Sequence, residues 1–133
     1  MGESALADDI LSRSATDILS LYRSKQVSPV EVLTATLDRI DRLDRFYNAF
    51  VMIDREGAFY DAQASERRWR HGEPNGHIDG LPVTVKDLVV KGMPTRRGSR
   101  TTNPLPSEED GPPVARMRQP VSCSHSSSIL SYV

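Results

Sequence analysis

Gly80-Leu81-Pro82-Val83-Thr84-Val85-Lys86-Asp87 is the stretch on which the fold turns. Leu81, Val83 and Val85 alternate with Pro82, Thr84 and Lys86, the two-residue period of a strand whose faces differ in polarity. A proline at its beginning is tolerated, because a strand start can spare one backbone N–H. The alternation sends Lys86 away from the face that carries the valines, and Asp87 follows it into an acidic turn. Taken alone, a lysine in that place is an ordinary solvated strand end. Its neighbours along the chain decide whether it is more.

Two helix starts precede the strand. In Ser28-Pro29-Val30-Glu31 the serine can cap, the proline sits where its absent N–H is harmless, and the glutamate can reach back to the cap. This helix is expected to run to about Arg45, with Val30, Leu33, Leu37 and Ile40 on one stripe. Ser14-Ala15-Thr16-Asp17 repeats the Ser-x-x-acid spacing and predicts a shorter helix to about Lys25, after a lead-in that turns helical from about Ala5. Tyr47-Asn48-Ala49-Phe50-Val51-Met52-Ile53, aromatic and β-branched, reads as a strand. Asp54 then caps a third helix to about Arg70, stopped by His71-Gly72 and Pro74. Residues 91–113 carry so many glycines and prolines that they read as one long irregular segment. From Ser122 serine recurs at short intervals without helix or strand period, so 119–133 is expected to be a disordered tail.

Composition excludes several classes of function. Apolar residues make up 38% and charged ones 26%, a water-soluble balance with a modest supply of core side chains. Net charge is −1, and the arginines fall in short clusters (67, 68 and 70; 96, 97 and 100) that read as solvated faces, so no nucleic-acid partner is expected. No run approaches the ~20 apolar residues of a membrane span, and the acidic N-terminus has no signal-peptide character, which points to the cytoplasm. Cys123 is the single cysteine, and His71, His77 and His125 show no ligand spacing, so neither a metal nor a cofactor is expected. His125 beside Ser126, Ser127 and Ser128 invites comparison with a nucleophile and its base. The chain has no glycine after Gly111 to shape the tight turn an oxyanion hole needs, so that reading is rejected.

Four ordered segments carry a family resemblance. Gly80 to Asp87 is similar to the lysine motif of the amidase signature family, Gly-[Ile/Leu]-Pro-Val-x-[Ile/Val]-Lys-Asp. Gly92-Met93-Pro94-Thr95-Arg96-Arg97-Gly98-Ser99 resembles the family's Gly-x-Pro-Thr-x-x-Gly-Ser segment at the same distance after the lysine. Ser28 to Leu33 and Tyr47 to Phe50 resemble its Ser-Pro-x-Glu helix and its Asn-Ala-[Phe/Val] strand start. The resemblance covers about residues 14–118. It implies an α/β fold, here the N-terminal fragment of the amidase-signature fold: helices plus the first two or so strands of a mixed sheet. It also implies hydrolysis of a carboxamide by a Ser-Ser-Lys triad in which Lys86 is the proton acceptor. Such a lysine must be uncharged near neutral pH, with its pKa lowered from about 10.4 towards roughly 7–8 by burial or nearby positive charge.

The family's two serines lie in glycine- and serine-rich segments well beyond the lysine, and this sequence contains neither. Asp110 to Arg118 still follows the family, but Gln119-Pro120-Val121-Ser122-Cys123-Ser124 departs from it. A frameshift near residues 117–120 would account for the break. The expectation is a truncated amidase with Lys86 left at solvent and no turnover by itself. Two alternatives stay open: a fragment like the A subunit of a glutamine-dependent amidotransferase that works with a partner chain carrying the serines, and a non-catalytic interaction module. A small-molecule amide would be the substrate only of the completed enzyme.

Overall fold

The computed structural model describes residues 9–86, 90–102, 105–118 and 128–132. Helix α1 spans Ala15–Arg23, and residues 9–11 add a helical turn before it; the expected helical start at Ala5 lies outside the described residues. Helix α2 spans Pro29–Tyr47 and α3 spans Arg55–His71. Both capping boxes form as the sequence predicts. The Asp17 N–H donates to the Ser14 hydroxyl at 3.2 Å while the Asp17 carboxylate accepts from the Ser14 N–H at 3.3 Å, and Glu31 and Ser28 do the same at 3.1 and 2.7 Å. Asp54 accepts from the Gly57 N–H at 2.9 Å to start α3, and Gly72, at φ 77°, ends it in the left-handed conformation.

The strand expected from Tyr47 begins only at Met52. Asn48 turns the chain left-handed (φ 47°), and the Asp44 carboxylate accepts from the N–H groups of Ala49 at 2.7 Å and Phe50 at 3.2 Å. Donors taken by a side chain cannot enter a ladder, so β1 is only Met52–Ile53. Strand β2, Pro82–Val85, falls where the alternation places it.

The third strand corrects the reading of the tail. Ser128–Tyr132 forms β3 in the middle of the sheet, in the order β1-β3-β2, antiparallel to β1 and parallel to β2. The sheet is therefore mixed and three-stranded rather than limited to the first two strands. The serines hid a short run of good strand formers, Ile129, Leu130 and Tyr132. What selects them is tertiary: β1 and β2 do not pair with each other, and a strand between them satisfies the backbone groups of both.

Residues 91–102 and 105–111 are irregular but tied to one another. The Gly92 N–H donates to the Ser107 carbonyl at 2.9 Å, the Ser107 N–H to the Met93 carbonyl at 3.1 Å, and the Lys91 N–H to the Asp110 carboxylate at 2.7 Å. A short helix that the sequence reading did not anticipate, α4 (Pro112–Arg118), follows; two prolines at its opening need no intrahelical partner.

Three apolar clusters hold these pieces. Leu33 and Leu37 of α2 meet Ala58 and Ala62 of α3. Ile18 and Tyr22 of α1 gather with Val32, Trp69 and Leu81. Val85 packs with Val90, Met93 and Val114 on the far side. Leu81 and Val85 thus serve different clusters, and the register of β2 against β3 shifts between Val83 and Thr84.

Candidate active-site strand

The strand bearing the lysine is anchored at its entry by a buried polar knot. Asp79 is wholly buried, and its carboxylate accepts from Arg68 through Nε at 2.8 Å and through the terminal nitrogen at 2.6 Å, as well as from the Asn75 N–H at 2.8 Å. These bonds hold the Arg68 guanidinium above its ordinary pKa. The Trp69 indole N–H donates to the Asp79 carbonyl at 3.1 Å, and the Tyr22 hydroxyl to the Gly80 carbonyl at 3.2 Å. The two rings lie 5.8 Å apart and tilted by 56°. Burial, with the Asp79 charge behind it, pushes the Tyr22 phenol up, so it stays a neutral donor.

Gly80 takes a conformation and a space that glycine alone fits. Its φ is +81°, and a Cβ there would stand 2.4 Å from the Ser65 hydroxyl and 2.8 Å from the Pro29 ring. The first residue of the motif is thereby wedged against the start of α2 and the middle of α3. Ser65 is itself buried, and among the described residues its hydroxyl has no hydrogen-bond partner.

From this anchor β2 runs out to Lys86, which is exposed. Val85, immediately before it, is buried, so backbone direction separates the lysine from the core as the alternation requires. Asp87 lies outside the described residues, as do Cys123, His125, Ser126 and Ser127; of Ser128 the backbone alone is described. His71 and His77 are exposed, and among the described residues no cluster of three His, Cys, Asp or Glu could hold a metal ion.

The arginine cluster of α3 is not uniformly solvated. Arg67 and Arg70 face water, the latter paired with Glu66 at 2.6 Å, but Arg68 turns inward to Asp79. Neither partner stood out from the sequence. The one available signal was an aspartate directly ahead of the glycine that opens the strand motif, eleven positions after Arg68.

Comparisons with known proteins agree with this frame. The family model described as Amidase matches residues 31–120. The A subunit of the glutamyl-tRNA(Gln) amidotransferase from Salinispora arenicola is 40% identical over 111 residues, covering 83% of this chain and 23% of that protein. Its counterpart in Geobacter sp. is 38% identical over 112 residues, covering 84% and 23%. Among solved structures, an amidase superposes with a TM-score of 0.75 at 30% identity, covering 90% of this chain and 26% of the other. A bacterial aryl acylamidase of the amidase signature enzymes does so at 0.73 and 31%, covering 90% and 24%. The chain thus spans about a quarter of the length of the proteins it matches. A family model that matches well over half of the chain, with relatives 40% and 38% identical across more than four fifths of it, makes this chain a member of the amidase signature family.

Proposed function

We propose that Lys86 is the base of a Ser-Ser-Lys relay that hydrolyses a carboxamide, and that residues up to about 118 supply the lysine-bearing part of that enzyme. The observation that carries this reading is the placement of Lys86: a solvent-facing amine at the free end of a strand whose other end is clamped by Asp79, Arg68 and Gly80. A neutral lysine takes a proton from one serine, which takes one from a second. The second attacks the amide carbon, the amine leaves with a proton, and water then releases the acid from the acyl-enzyme. The relay also needs two serines, and the glycine- and serine-rich segments that carry them in the family are not among these 133 residues. A cytoplasmic setting goes with this reading; among the described residues no helix is long and apolar enough to cross a membrane.

A second reading has one observation in its favour. The relatives at 40% and 38% identity are the A subunits of amidotransferases, so the same relay would work inside an amidotransferase assembled from several chains.

The test is complementation. Incubated alone with simple aliphatic and aromatic carboxamides, the chain should release no ammonia above the blank. Adding a polypeptide that carries the remaining segments of an amidase should produce release, and Lys86→Ala should cut it by about 10²–10⁴-fold. Turnover by the chain alone, or complemented turnover indifferent to Lys86→Ala, overturns the proposal.

A further inference from the structure

Asn75-Gly76 lies in the turn between α3 and β2, outside any helix or strand, and both residues are half-buried, so water reaches them. Asparagine is a chemically labile residue where the nitrogen of the next residue can reach its side chain. Gly76 has φ +110°, and without a Cβ nothing on its own Cα crowds that approach. Among the described residues the Gly76 N–H donates to no partner, whereas the Asn75 N–H is held by the Asp79 carboxylate at 2.8 Å. The other two asparagines lack this combination. Asn48 precedes Ala49, whose N–H is taken by the Asp44 carboxylate at 2.7 Å, and Asn103 precedes Pro104, which has no N–H.

We propose that Asn75 deamidates spontaneously and that the product loosens the buried clamp at the entry to β2. The Gly76 nitrogen, giving its proton to solvent, attacks Cγ of Asn75. The bond from Cγ to Nδ2 breaks, Nδ2 takes up a proton and leaves as ammonia, and a five-membered succinimide remains. Water then adds to either carbonyl of the ring and breaks its bond to the Gly76 nitrogen, which regains a proton. Opening at Cγ gives an aspartyl residue; opening at the main-chain carbonyl gives an isoaspartyl one, whose backbone runs through Cβ.

The consequence follows from how the turn is tied. The bond from the Asn75 N–H to Asp79 closes a short loop of backbone, and the Leu81 N–H donates to the Ile78 carbonyl at 3.1 Å just beyond it. An isoaspartyl link lengthens that loop by one carbon. Either product places a carboxylate within about 7 Å of the Asp79 carboxylate, the 2.8 Å bond plus the reach of one residue. Asp79 is wholly buried and already matched to Arg68, so the added negative charge disfavours the ionised pair. The strand that bears Lys86 then loses part of its hold, whatever reaction Lys86 serves.

The experiment ages the full chain under native conditions in mildly alkaline buffer. Mass spectrometry follows the tryptic peptide of residues 71–86, in which Asn75 is the one amide side chain. That peptide should gain the mass difference between –NH2 and –OH at a rate within about tenfold of that of a synthetic peptide of residues 72–78. The melting temperature should fall by about 3–6 °C once conversion is complete. Emission of Trp69, the single tryptophan, should shift to the red, because its indole N–H donates to the Asp79 carbonyl. Asn75→Gln, whose ring closure would be six-membered, should age without either change, and Asn75→Asp should show both at the outset. A slower rate in the folded chain overturns the proposal, because the fold then shields the site. Conversion that leaves the melting temperature and the Trp69 emission unchanged overturns it as well, since the product then leaves the clamp intact.

Discussion

The helical half of the molecule and the segment beyond Lys86 are held by different means. From Ser14 to Val85, capping boxes, two apolar clusters and the Asp79 knot reinforce one another, and each helix is signalled by its own residues. Among the described residues from Val90 to Arg118, a small cluster around Val114 and backbone bonds through Gly92, Met93 and Ser107 are prominent, and the capping boxes and buried charge of the helical half have no counterpart in what is described there. The contrast teaches where an active-site strand gains rigidity: from its entry, fixed by buried charge and close packing, rather than from its exit, where chemistry needs access.

The comparison breaks most decisively at Asp79. Replacing it with alanine removes the buried carboxylate to which Arg68 and the Asn75 N–H donate, and Asp79→Ala should lower stability by about 3–5 kcal/mol in urea unfolding. A loss confined to residues 90–118 would show that the knot does not govern the helical half. Gly80→Ala comes next. Left-handed backbone costs roughly 1–2 kcal/mol and overpacking against Ser65 and Pro29 roughly 1–3, so a loss of about 2–5 kcal/mol is expected. Should Gly80→Ala prove neutral, the wedge between α2 and α3 is not tight. A smaller effect, about 1 kcal/mol, is expected for Ser28→Ala, which removes one side of a capping box; thermal melts followed at 222 nm measure it.

The smallest effect is a pH dependence at α1. The Ser14 hydroxyl and N–H hold the Asp17 carboxyl below its ordinary range. A depressed acid stabilises the fold above its unfolded pKa, about 3.9, and that contribution is lost as pH falls through the folded value. Amide exchange at the start of α1, corrected for its intrinsic pH dependence, should therefore speed up below about pH 4, and exchange there that does not change with acid would break the expectation.

Legibility followed the range of the interaction. Ser14, Ser28, Asp54 and Gly72 act within four residues of where they sit, and each helix boundary they imply was readable to within two or three residues. The beginning of β1 was misplaced because Asp44, several residues back, takes the N–H groups of Ala49 and Phe50. Helix α4 went unnoticed because its stabilising contact, Val114 against Val85 and Met93, joins segments far apart in the chain. Arg68 looked like its neighbours until Asp79 turned it inward.

By itself, then, the sequence determined the three long helices, the strand Pro82–Val85, the exposure of Lys86 and the family, because these depend on local caps, on alternation and on a motif written in consecutive residues. Only the tertiary structure decided that Ser128–Tyr132 would be the central strand, that Arg68 and Asp79 would be partners, and that Val114 would pack against Val85. Each of those depends on which distant surface comes close enough to satisfy a backbone group, neutralise a buried charge or exclude water, and no short stretch of chain encodes its own partner.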